Sequence, residues 1–317
     1  MATRVPQAKF SSSPSPNGSS GTRTWRDTAE TRQAFTAWMF IAPAGAIISV
    51  FVFWTLFESL RTSFTDDSGF GSAAWVGLAN YSKLLGDVRF LNALGNTLLY
   101  SVVVVPVSIA FALGLALLLN RPLPFRGFFR VAVFMPFVTS LGISSMAWWA
   151  MLNPHAGIIP AWFEIFGLSL GNGIQDPALA MPFVMGVGVW RDVGFFMVMY
   201  LGGLQSIPKE LKESAQIDGA GPWKSFWNIT WPLLSNTTLF VGIMALVFAF
   251  QAFDQIFIMT GGGPYFRTET LVLYIFSTAV ERYELGYASA ISWVLILLVF
   301  AVSLLQVGYF SKKAVQY

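Results

Sequence analysis

The sequence predicts an all-α integral membrane protein with six transmembrane helices, and three observations carry that prediction. Of the 317 residues, 55% are hydrophobic and only 11% are Asp, Glu, Lys or Arg, whereas soluble domains carry about 25% charged residues. The mean hydropathy is +0.61. Six apolar runs are each long enough to cross a bilayer, which takes about 20 residues. Lipid is therefore the predicted solvent for most of the chain.

The elements follow in order along the chain. Residues 1–35 are polar, and the Ser/Pro/Gly-rich stretch 11–20 has nothing to bury, so we predict a disordered tail. A membrane domain is predicted over residues 36–310, and residues 311–317 form a short C-terminus. Membrane strands alternate polar and apolar residues, and these runs do not, so we expect helices. The predicted helices are 36–60, 92–119, 128–152, 179–204, 232–260 and 286–310.

Basic residues predict the orientation, because Arg and Lys concentrate on the cytoplasmic side of membranes. Thirteen of them lie in the two termini and in the even-numbered loops, and five lie in the odd-numbered loops. The loop between the third and fourth helices contains His155 and has no Lys or Arg. We therefore predict a multi-pass protein with both termini in the cytoplasm.

The composition excludes several kinds of chemistry. The chain has no cysteine and one histidine, which excludes disulfides, thiol catalysis and Cys- or His-rich metal sites, so no metal site is predicted. Residues 219–225 hold a Lys-Ser pair, but no Gly precedes the Lys and no strand precedes the segment, so they are not a phosphate-binding loop. No catalytic cluster is evident, and no nucleic-acid partner is predicted. We expect no enzyme activity and no ATPase site in this chain.

The loop between the fourth and fifth helices, residues 206–231, reads as two short helices with a break. Pro208 suits the start of a helix, Gly219 suits a left-handed ending, and Pro222 begins a second short turn. Such an amphipathic element suits a peg that docks into a groove of a partner. An interfacial helix resting on lipid headgroups is the alternative, and from the physics alone the two remain open.

A motif in this loop resembles a known family. Residues 213–220 read Glu-Ser-Ala-Gln-Ile-Asp-Gly-Ala, and an Ile-Thr-Trp-Pro stretch follows at residues 229–232. This resembles the EAA motif of permease subunits of binding-protein-dependent ABC importers, with departures at Ser214, Trp231 and Asn236. The resemblance implies a type I importer permease (MetI-like) fold, in which this loop couples the chain to an ATPase. The implied coupling residues are Glu213, Ala215, Asp218, Gly219, Ala220, Phe226, Ile229 and Pro232.

A second motif lies at the end of the fifth predicted helix. It comprises Thr260, Gly261, Gly262, Gly263 and Pro264, and three glycines before a proline suit a sharp turn. It resembles the signature of carbohydrate-type permeases similar to those of the maltose importer. By the predicted orientation it faces outside, so the resemblance implies that a substrate-binding protein docks here. An ordinary helix-ending loop is the alternative for this motif taken alone.

The resemblance also implies the partners. They are a second homologous permease subunit, often a different chain, two copies of an ABC ATPase that bind ATP and Mg, and an extracytoplasmic binding protein. The chain itself would hold no cofactor, and it would lie in the lipid bilayer of a bacterial cytoplasmic membrane. The implied substrate is a sugar or sugar-like solute. Glycerol 3-phosphate or a glycerophosphodiester is the alternative substrate.

Polar residues inside the predicted helices are candidates for the substrate path, because ionisable groups in membranes usually face a cavity or the bundle interior. Gln251, Asp254 and Gln255 are spaced to share one face of the fifth helix, and a clamp between helices is an equal alternative. Phe250 and Phe253 are further candidates, for stacking on a sugar ring. Arg191 and Asp192 are also candidates, although a structural role is favoured for them and they need not pair with each other. Asn96 and Tyr200 are weaker candidates.

Two rival classes are less well supported by the sequence. A self-sufficient secondary transporter is expected to show an internal repeat or membrane-buried ion ligands, and we see neither in convincing form. A polytopic membrane enzyme would need a catalytic cluster.

Overall fold

The computed structural model describes the backbone of residues 22–311 and the side chains of residues 32–308. It divides into two units, with the boundary between Glu58 and Ser59. Residues 1–21 of the predicted tail and residues 312–317 of the predicted C-terminus lie outside the described part of the chain.

The first unit is helical. Helix α1 is Thr22–Ile48, a π-helical turn follows at Ser49–Trp54, and α2 begins at Thr55. The helix therefore starts well before residue 36, and the prediction of disorder is wrong for residues 22–35. The physical reason is that residues 22–35 contain neither Gly nor Pro, so nothing in this polar stretch interrupts helix propagation.

The second unit holds the remaining helices. Besides the end of α2 at Thr62 they are α3 Ala79–Gly86, α4 Val88–Leu119, α5 Arg126–Val138, α6 Leu141–Met151, α7 Ile158–Ile165, α8 Ala180–Ser206, α9 Lys209–Ile217, α10 Pro222–Ser225, α11 Trp231–Leu233, α12 Ser235–Phe250, α13 Asp254–Met259, α14 Leu271–Phe276 and α15 Leu285–Ser311. Within residues 22–311 the only β pairing is an isolated bridge between Thr65 and Trp75.

In the part of the chain that the structure describes, five helical segments are long and apolar enough to cross a membrane, and a sixth is obtained if a bent pair counts as one span. The five are Arg32–Thr62, Val88–Leu119, Ala180–Ser206, Ser235–Met259 and Leu285–Gly308, and the bent pair is α5 with α6. The predicted all-α membrane architecture is confirmed, with six spans on that count.

The third predicted helix is not continuous. Helices α5 and α6 meet at an angle of 96°, and Thr139 and Ser140 between them have extended backbone angles. Two features end α5 here. Pro136 weakens the helix from inside, since proline has no N–H to donate. The Thr139 hydroxyl donates to the Pro136 carbonyl at 2.8 Å, and so offers the backbone a non-helical partner.

The fifth predicted helix is also broken. Helix α12 ends at Phe250 and α13 begins at Asp254. The Thr270 hydroxyl donates to the carbonyl of Ala252 at 3.1 Å, which satisfies a backbone group that the break releases. The two broken spans meet, because α13 packs against α6.

Helix α8 is the centre of the second unit. It packs against α4, α5 and α12, and 61% of its most apolar window is buried. Small residues make the contacts close, as is common between membrane helices. A Cβ on Gly194 would lie 2.1 Å from the carbonyl oxygen of Val133, and one on Gly203 would lie 2.4 Å from the hydroxyl of Thr237. The neighbouring helices therefore approach the backbone of α8 closely at these two glycines.

Candidate functional site

The loop between α8 and α12 folds as the sequence predicts. Helix α9 begins directly after Pro208, and its end is closed by a hydrogen bond of 2.9 Å from the N–H of Ala220 to the carbonyl of Ala215. Gly219 has φ +77°, a conformation that costs other residues about 1–2 kcal/mol. An added Cβ at Gly219 would meet no atom within 4 Å. The requirement for glycine here is therefore one of backbone conformation and not of space.

The eight predicted coupling residues separate into two groups. Glu213, Asp218 and Gly219 are exposed. The others are buried or half-buried and hold the loop together, and they are Ala215, Ala220, Phe226, Ile229 and Pro232. Phe226 packs, together with Trp231, against the core that α4, α8 and α12 share. The loop is therefore fixed to the membrane helices by its own side chains.

The tip of this loop presents apolar side chains to the outside. Ile217 is 85% exposed and Trp223 is 74% exposed. Trp223 and Trp227 form an aromatic pair, with ring centroids 5.8 Å apart. Ile217 is not among the predicted coupling residues, although its place between Gln216 and Asp218 within the EAA-like motif was a usable signal. These exposed apolar groups are available for contact with a partner protein or with lipid headgroups.

The predicted polar face of the fifth helix does not exist. The break between α12 and α13 falls among its members, so the spacing of Gln251, Asp254 and Gln255 no longer places them together. Gln251 and Asp254 are exposed, but Gln255 is buried. The Gln255 amide donates to the hydroxyl of Tyr100 on α4 at 2.9 Å. For Gln255 the alternative of a clamp between helices is therefore the one that the structure shows.

The aromatic candidates next to the break are packed against protein. Phe250 is 2% exposed and belongs to a core cluster with Leu246 and Tyr274. Phe253 stacks on Phe257, with centroids 5.3 Å apart and planes 12° from parallel. Phe250 therefore does not face a solute in this structure, and the prediction that it stacks on a sugar ring is wrong for this conformation.

Arg191 and Asp192 form an ion pair inside α8. The Nη1 atom of Arg191 lies 3.1 Å from Oδ1 of Asp192, and the guanidinium lies over the ring of Phe137, 5.2 Å from its centroid. Asp192 is buried. Neighbouring side chains in a helix point in different directions, so the sequence did not require this pairing. Of the two weaker candidates, Tyr200 is fully buried in the core.

The glycine-rich segment, residues 260–264, forms a turn. Gly261 and Gly262 have φ of +57° and +87°, and the bond between Gly263 and Pro264 is cis. The hydroxyl of Thr268 lies 2.7 Å from that of Thr260 and donates to the carbonyl of Gly263 at 2.8 Å. The segment is thus closed on itself by its two threonines.

Three side chains of α4 hold the residues that follow this turn. Arg89 binds both carboxylate oxygens of Glu269, at 2.8 and 2.6 Å, and Glu269 is 2% exposed. Asn92 and Asn96 donate to the carbonyl of Phe266 at 2.8 and 2.9 Å. Asn96 therefore has a positioning role, and the turn is presented by a rigid support. Tyr265 at its tip is 85% exposed.

A polar cluster at the start of α4 was not predicted. Asp87 caps α4 by accepting hydrogen bonds from the N–H groups of Arg89 and Phe90, and its other oxygen accepts from the hydroxyls of Tyr274 and Tyr287 at 2.5 and 2.6 Å. Burial of the carboxyl opposes its ionisation, but the tyrosine and backbone hydrogen bonds outweigh burial and lower the pKa of Asp87. The partners are distant in sequence, so only the capping Asp offered a signal.

Comparison with known proteins places the chain in a family. The profile described as "Binding-protein-dependent transport system inner membrane component" matches residues 89–313. The chain is 34% identical over 278 residues to the sn-glycerol-3-phosphate transport system permease protein UgpA of Agrobacterium fabrum, an alignment that covers 87% of this chain and 94% of that protein. It is 35% identical over 278 residues to the probable ABC transporter permease protein PH1215 of Pyrococcus horikoshii, with 87% and 95% covered.

Solved structures agree on the fold. A bacterial ABC transporter involved in the import of the acidic polysaccharide alginate matches with a TM-score of 0.78 at 20% identity, over 92% of this chain and 99% of that chain. The same kind of transporter in complex with an alginate pentasaccharide-bound periplasmic protein matches with a TM-score of 0.76. The predicted importer permease fold and the predicted function as a membrane transport component are confirmed. The chain belongs to the family of inner membrane components of binding-protein-dependent transport systems.

Proposed function

We propose that this permease subunit is driven by a separate ATPase, which it contacts through residues 206–231, and that the chain has no ATPase site of its own. The observation that carries the proposal is the division within the loop. Phe226 and Trp231 pack on the core of the membrane helices, whereas Ile217 and Trp223 at the tip are exposed. A peg built in this way transmits a displacement of its tip to the helices.

The mechanism is a shift between two states of the permease. Closure of the ATPase pair on ATP moves the peg, and the helices that the peg is packed against rock to open a path to the other side. Glu213 and Asp218, exposed beside the tip, supply charged contacts to the ATPase. Gly219 sets the angle between α9 and the segment that leads to α12. ATP and Mg bind to the ATPase, and this chain holds no cofactor.

The assembled importer contains a second permease, two ATPase copies and an extracytoplasmic binding protein. The binding protein docks on the turn of Thr260, Gly261, Gly262, Gly263 and Pro264, whose support by α4 suits a docking platform. Both termini face the cytoplasm of the bacterial cell, which places the peg inside and the turn outside. This orientation is supported by the distribution of Lys and Arg along the chain.

The proposed substrate is a sugar or a sugar-like solute. The support is the resemblance of residues 260–264 to carbohydrate-type permeases. Gln251 and Asp254, exposed at the break between α12 and α13, remain candidates for contact with the solute.

A second candidate substrate is glycerol 3-phosphate or a glycerophosphodiester. It is favoured by relatives that are named sn-glycerol-3-phosphate permeases, among them UgpA of Agrobacterium fabrum at 34% identity and UgpA of Rhizobium meliloti at 31% identity. Uptake assays with labelled glycerol 3-phosphate and with labelled neutral sugars distinguish the two.

Purification of the tagged chain from its native membranes, with mass spectrometry of what accompanies it, tests the proposal. We expect an ATPase subunit with a phosphate-binding loop, a second permease and a binding protein. Recovery of the chain alone, still able to move solute without ATP, would replace the proposal with a secondary transporter.

A further inference from the structure

A cleft of about 700 Å³ lies between α4 and α8, apart from the break in the fifth span. Its volume falls within the range of small-molecule sites, about 300–1,000 Å³. Its walls are mostly apolar, and the residues of the two helices that form them include Leu99, Val103, Val107, Met181, Met185 and Val189. Such walls exclude water and leave recognition to the few polar groups that reach the cleft.

Two polar side chains line this cleft, Asn96 and Arg267. The amide nitrogen of Asn96 is already used, since it donates to the carbonyls of Phe266 and Glu269, both at 2.9 Å. Arg267 is exposed, and among the described residues no carboxylate forms an ion pair with it. Among the described residues that line the cleft, the guanidinium of Arg267 is therefore the side-chain donor that remains to bind an anion.

The charge that lines the cleft is positive. None of the described residues that line it is acidic. Two other basic residues at this end of the bundle are neutralised, since Arg89 binds Glu269 and Lys83 binds Glu284 at 2.7 Å. The guanidinium of Arg282 lies outside the cleft, over the ring of Tyr274 and 5.2 Å from its centroid. A single positive charge in a cleft with apolar walls attracts an anion strongly, because such walls focus its field.

The backbone from which the Arg267 side chain extends is also held in place. Its N–H donates to the carbonyl of Pro264 at 3.0 Å, and the carbonyl of Phe266 beside it is fixed by Asn92 and Asn96. A group that is positioned before its ligand arrives loses less entropy on binding.

We propose that this cleft receives an anionic sugar or polyol, and that Arg267 binds the phosphate or carboxylate of that solute at the 260–270 end of the bundle. Arg267 is then the residue that selects solutes by their charge. This inference rests on the proposed function as an importer.

Gly186 offers a probe inside the cleft. It lines the cleft, and an added Cβ would meet no atom within 4 Å, so a substitution there fits. The chain has no cysteine, so the Gly186→Cys variant carries a unique thiol. Gly202 of the same helix is exposed, has the same freedom and does not line the cleft, so Gly202→Cys is the matched control.

The test compares thiol reagents of opposite charge on the importer purified through a tag on this chain and reconstituted in phosphatidylcholine nanodiscs. One reagent is an anionic methanethiosulfonate and the other is cationic, and the rate of labelling is read by the mass of this chain. At Gly186→Cys we expect the anionic reagent to react about tenfold faster than the cationic one, the order expected from one nearby unit charge. At Gly202→Cys we expect no such preference.

The preference must depend on Arg267. It should disappear in Arg267→Gln and persist in Arg267→Lys, which keeps the charge, and in Arg282→Gln, which removes a cation outside the cleft. The inference is overturned if both reagents react equally at Gly186→Cys, if the preference survives Arg267→Gln, or if neither reagent reaches the thiol because another chain covers it.

A lipid headgroup would offer Arg267 the same phosphate chemistry. Repeating the labelling in nanodiscs of anionic phosphatidylglycerol separates the two sources, because a bound headgroup would block the thiol there and a soluble solute would not. A block in those nanodiscs would also overturn the inference. Loss of the inference leaves the importer function standing, because the co-purification of an ATPase tests that function independently.

Discussion

Replacing Gly194 by Ala tests how closely the bundle is packed. An Ala Cβ at this position would lie 2.1 Å from the carbonyl oxygen of Val133 and 2.8 Å from Cα of Phe134, whereas ordinary contacts begin near 3.4 Å. Both obstacles are backbone atoms of α5, so α5 and α8 must move apart by about 1 Å.

The expected cost follows from what that separation disrupts. Overpacking a core costs about 1–3 kcal/mol. The stacked pair of Phe137 on α5 and Phe195 on α8, with centroids 4.4 Å apart, would loosen as well, and such pairs contribute about 0.5–1.5 kcal/mol. Ala also stabilises a helix by about 0.5–1 kcal/mol relative to Gly, which partly offsets this cost. We therefore expect Gly194→Ala to lower the free energy of unfolding by about 2–3 kcal/mol.

The assay is the unfolding of the purified chain in mixed micelles as the fraction of SDS rises, followed by tryptophan fluorescence. Gly202→Ala is the control, because it lies on the same helix and its Cβ meets nothing within 4 Å. The control should be as stable as the wild type or slightly more stable. Equal stability of Gly194→Ala and Gly202→Ala would refute the close contact of α5 with α8.

Three further predictions concern the two ends of the bundle. Gly219→Ala, at φ +77°, should distort the peg and reduce solute uptake per ATP hydrolysed in proteoliposomes, while Gly221→Ala, with φ −66°, should not; equal coupling in the two would contradict the role of the turn. Glu269→Gln, which breaks a buried pair, should lower the free energy of unfolding by about 1–3 kcal/mol, whereas Lys83→Gln, which removes an exposed pair, should lower it by less than about 1 kcal/mol; the reverse order would be evidence against the support of the turn by α4. The ionised Asp87 stabilises the fold above its unfolded pKa of 3.8, and because its folded pKa is lower, this contribution should be lost as the pH falls below that value; melting curves of Asp87→Asn should lack this dependence, and an unchanged pH profile would contradict it.

The sequence was sufficient for the elements whose signal is local. An apolar run of about 20 residues predicts a span wherever it occurs. Pro208 and Pro222 predicted the geometry of the peg because proline restricts its own backbone, and Gly219 did so because glycine adopts a left-handed conformation without steric cost. The resemblance of residues 213–232 to the EAA motif then indicated this loop as the predicted contact with an ATPase.

The breaks in the third and fifth spans were beyond the sequence because hydrophobicity continues across them. Thr139 and Ser140 look like ordinary members of a membrane helix, and no proline marks the break after Phe250. At the break in the fifth span, the released carbonyl of Ala252 is satisfied by Thr270, whose position depends on the fold.

The contacts by which polar side chains of α4 hold the turn at residues 260–264 could not be predicted from the sequence either. Arg89 and Glu269 are 180 residues apart in the sequence, and other partners in this cluster have similar separations. Each of these residues alone reads as an ordinary loop charge. Only the folded chain shows that α4 holds the turn.

The central claim is that residues 206–231 contact an ATPase, and photocrosslinking from Ile217 tests it most directly. Ile217 is replaced by p-benzoylphenylalanine, the intact native membranes are irradiated, and the captured protein is identified by mass spectrometry. Leu305 on α15, which is 73% exposed, is replaced in the same way as a control. We expect the probe at Ile217 to capture an ATPase subunit with a phosphate-binding loop and the probe at Leu305 not to do so. Capture of lipid alone at Ile217 would rule out this contact, because the loop would then rest on the membrane surface.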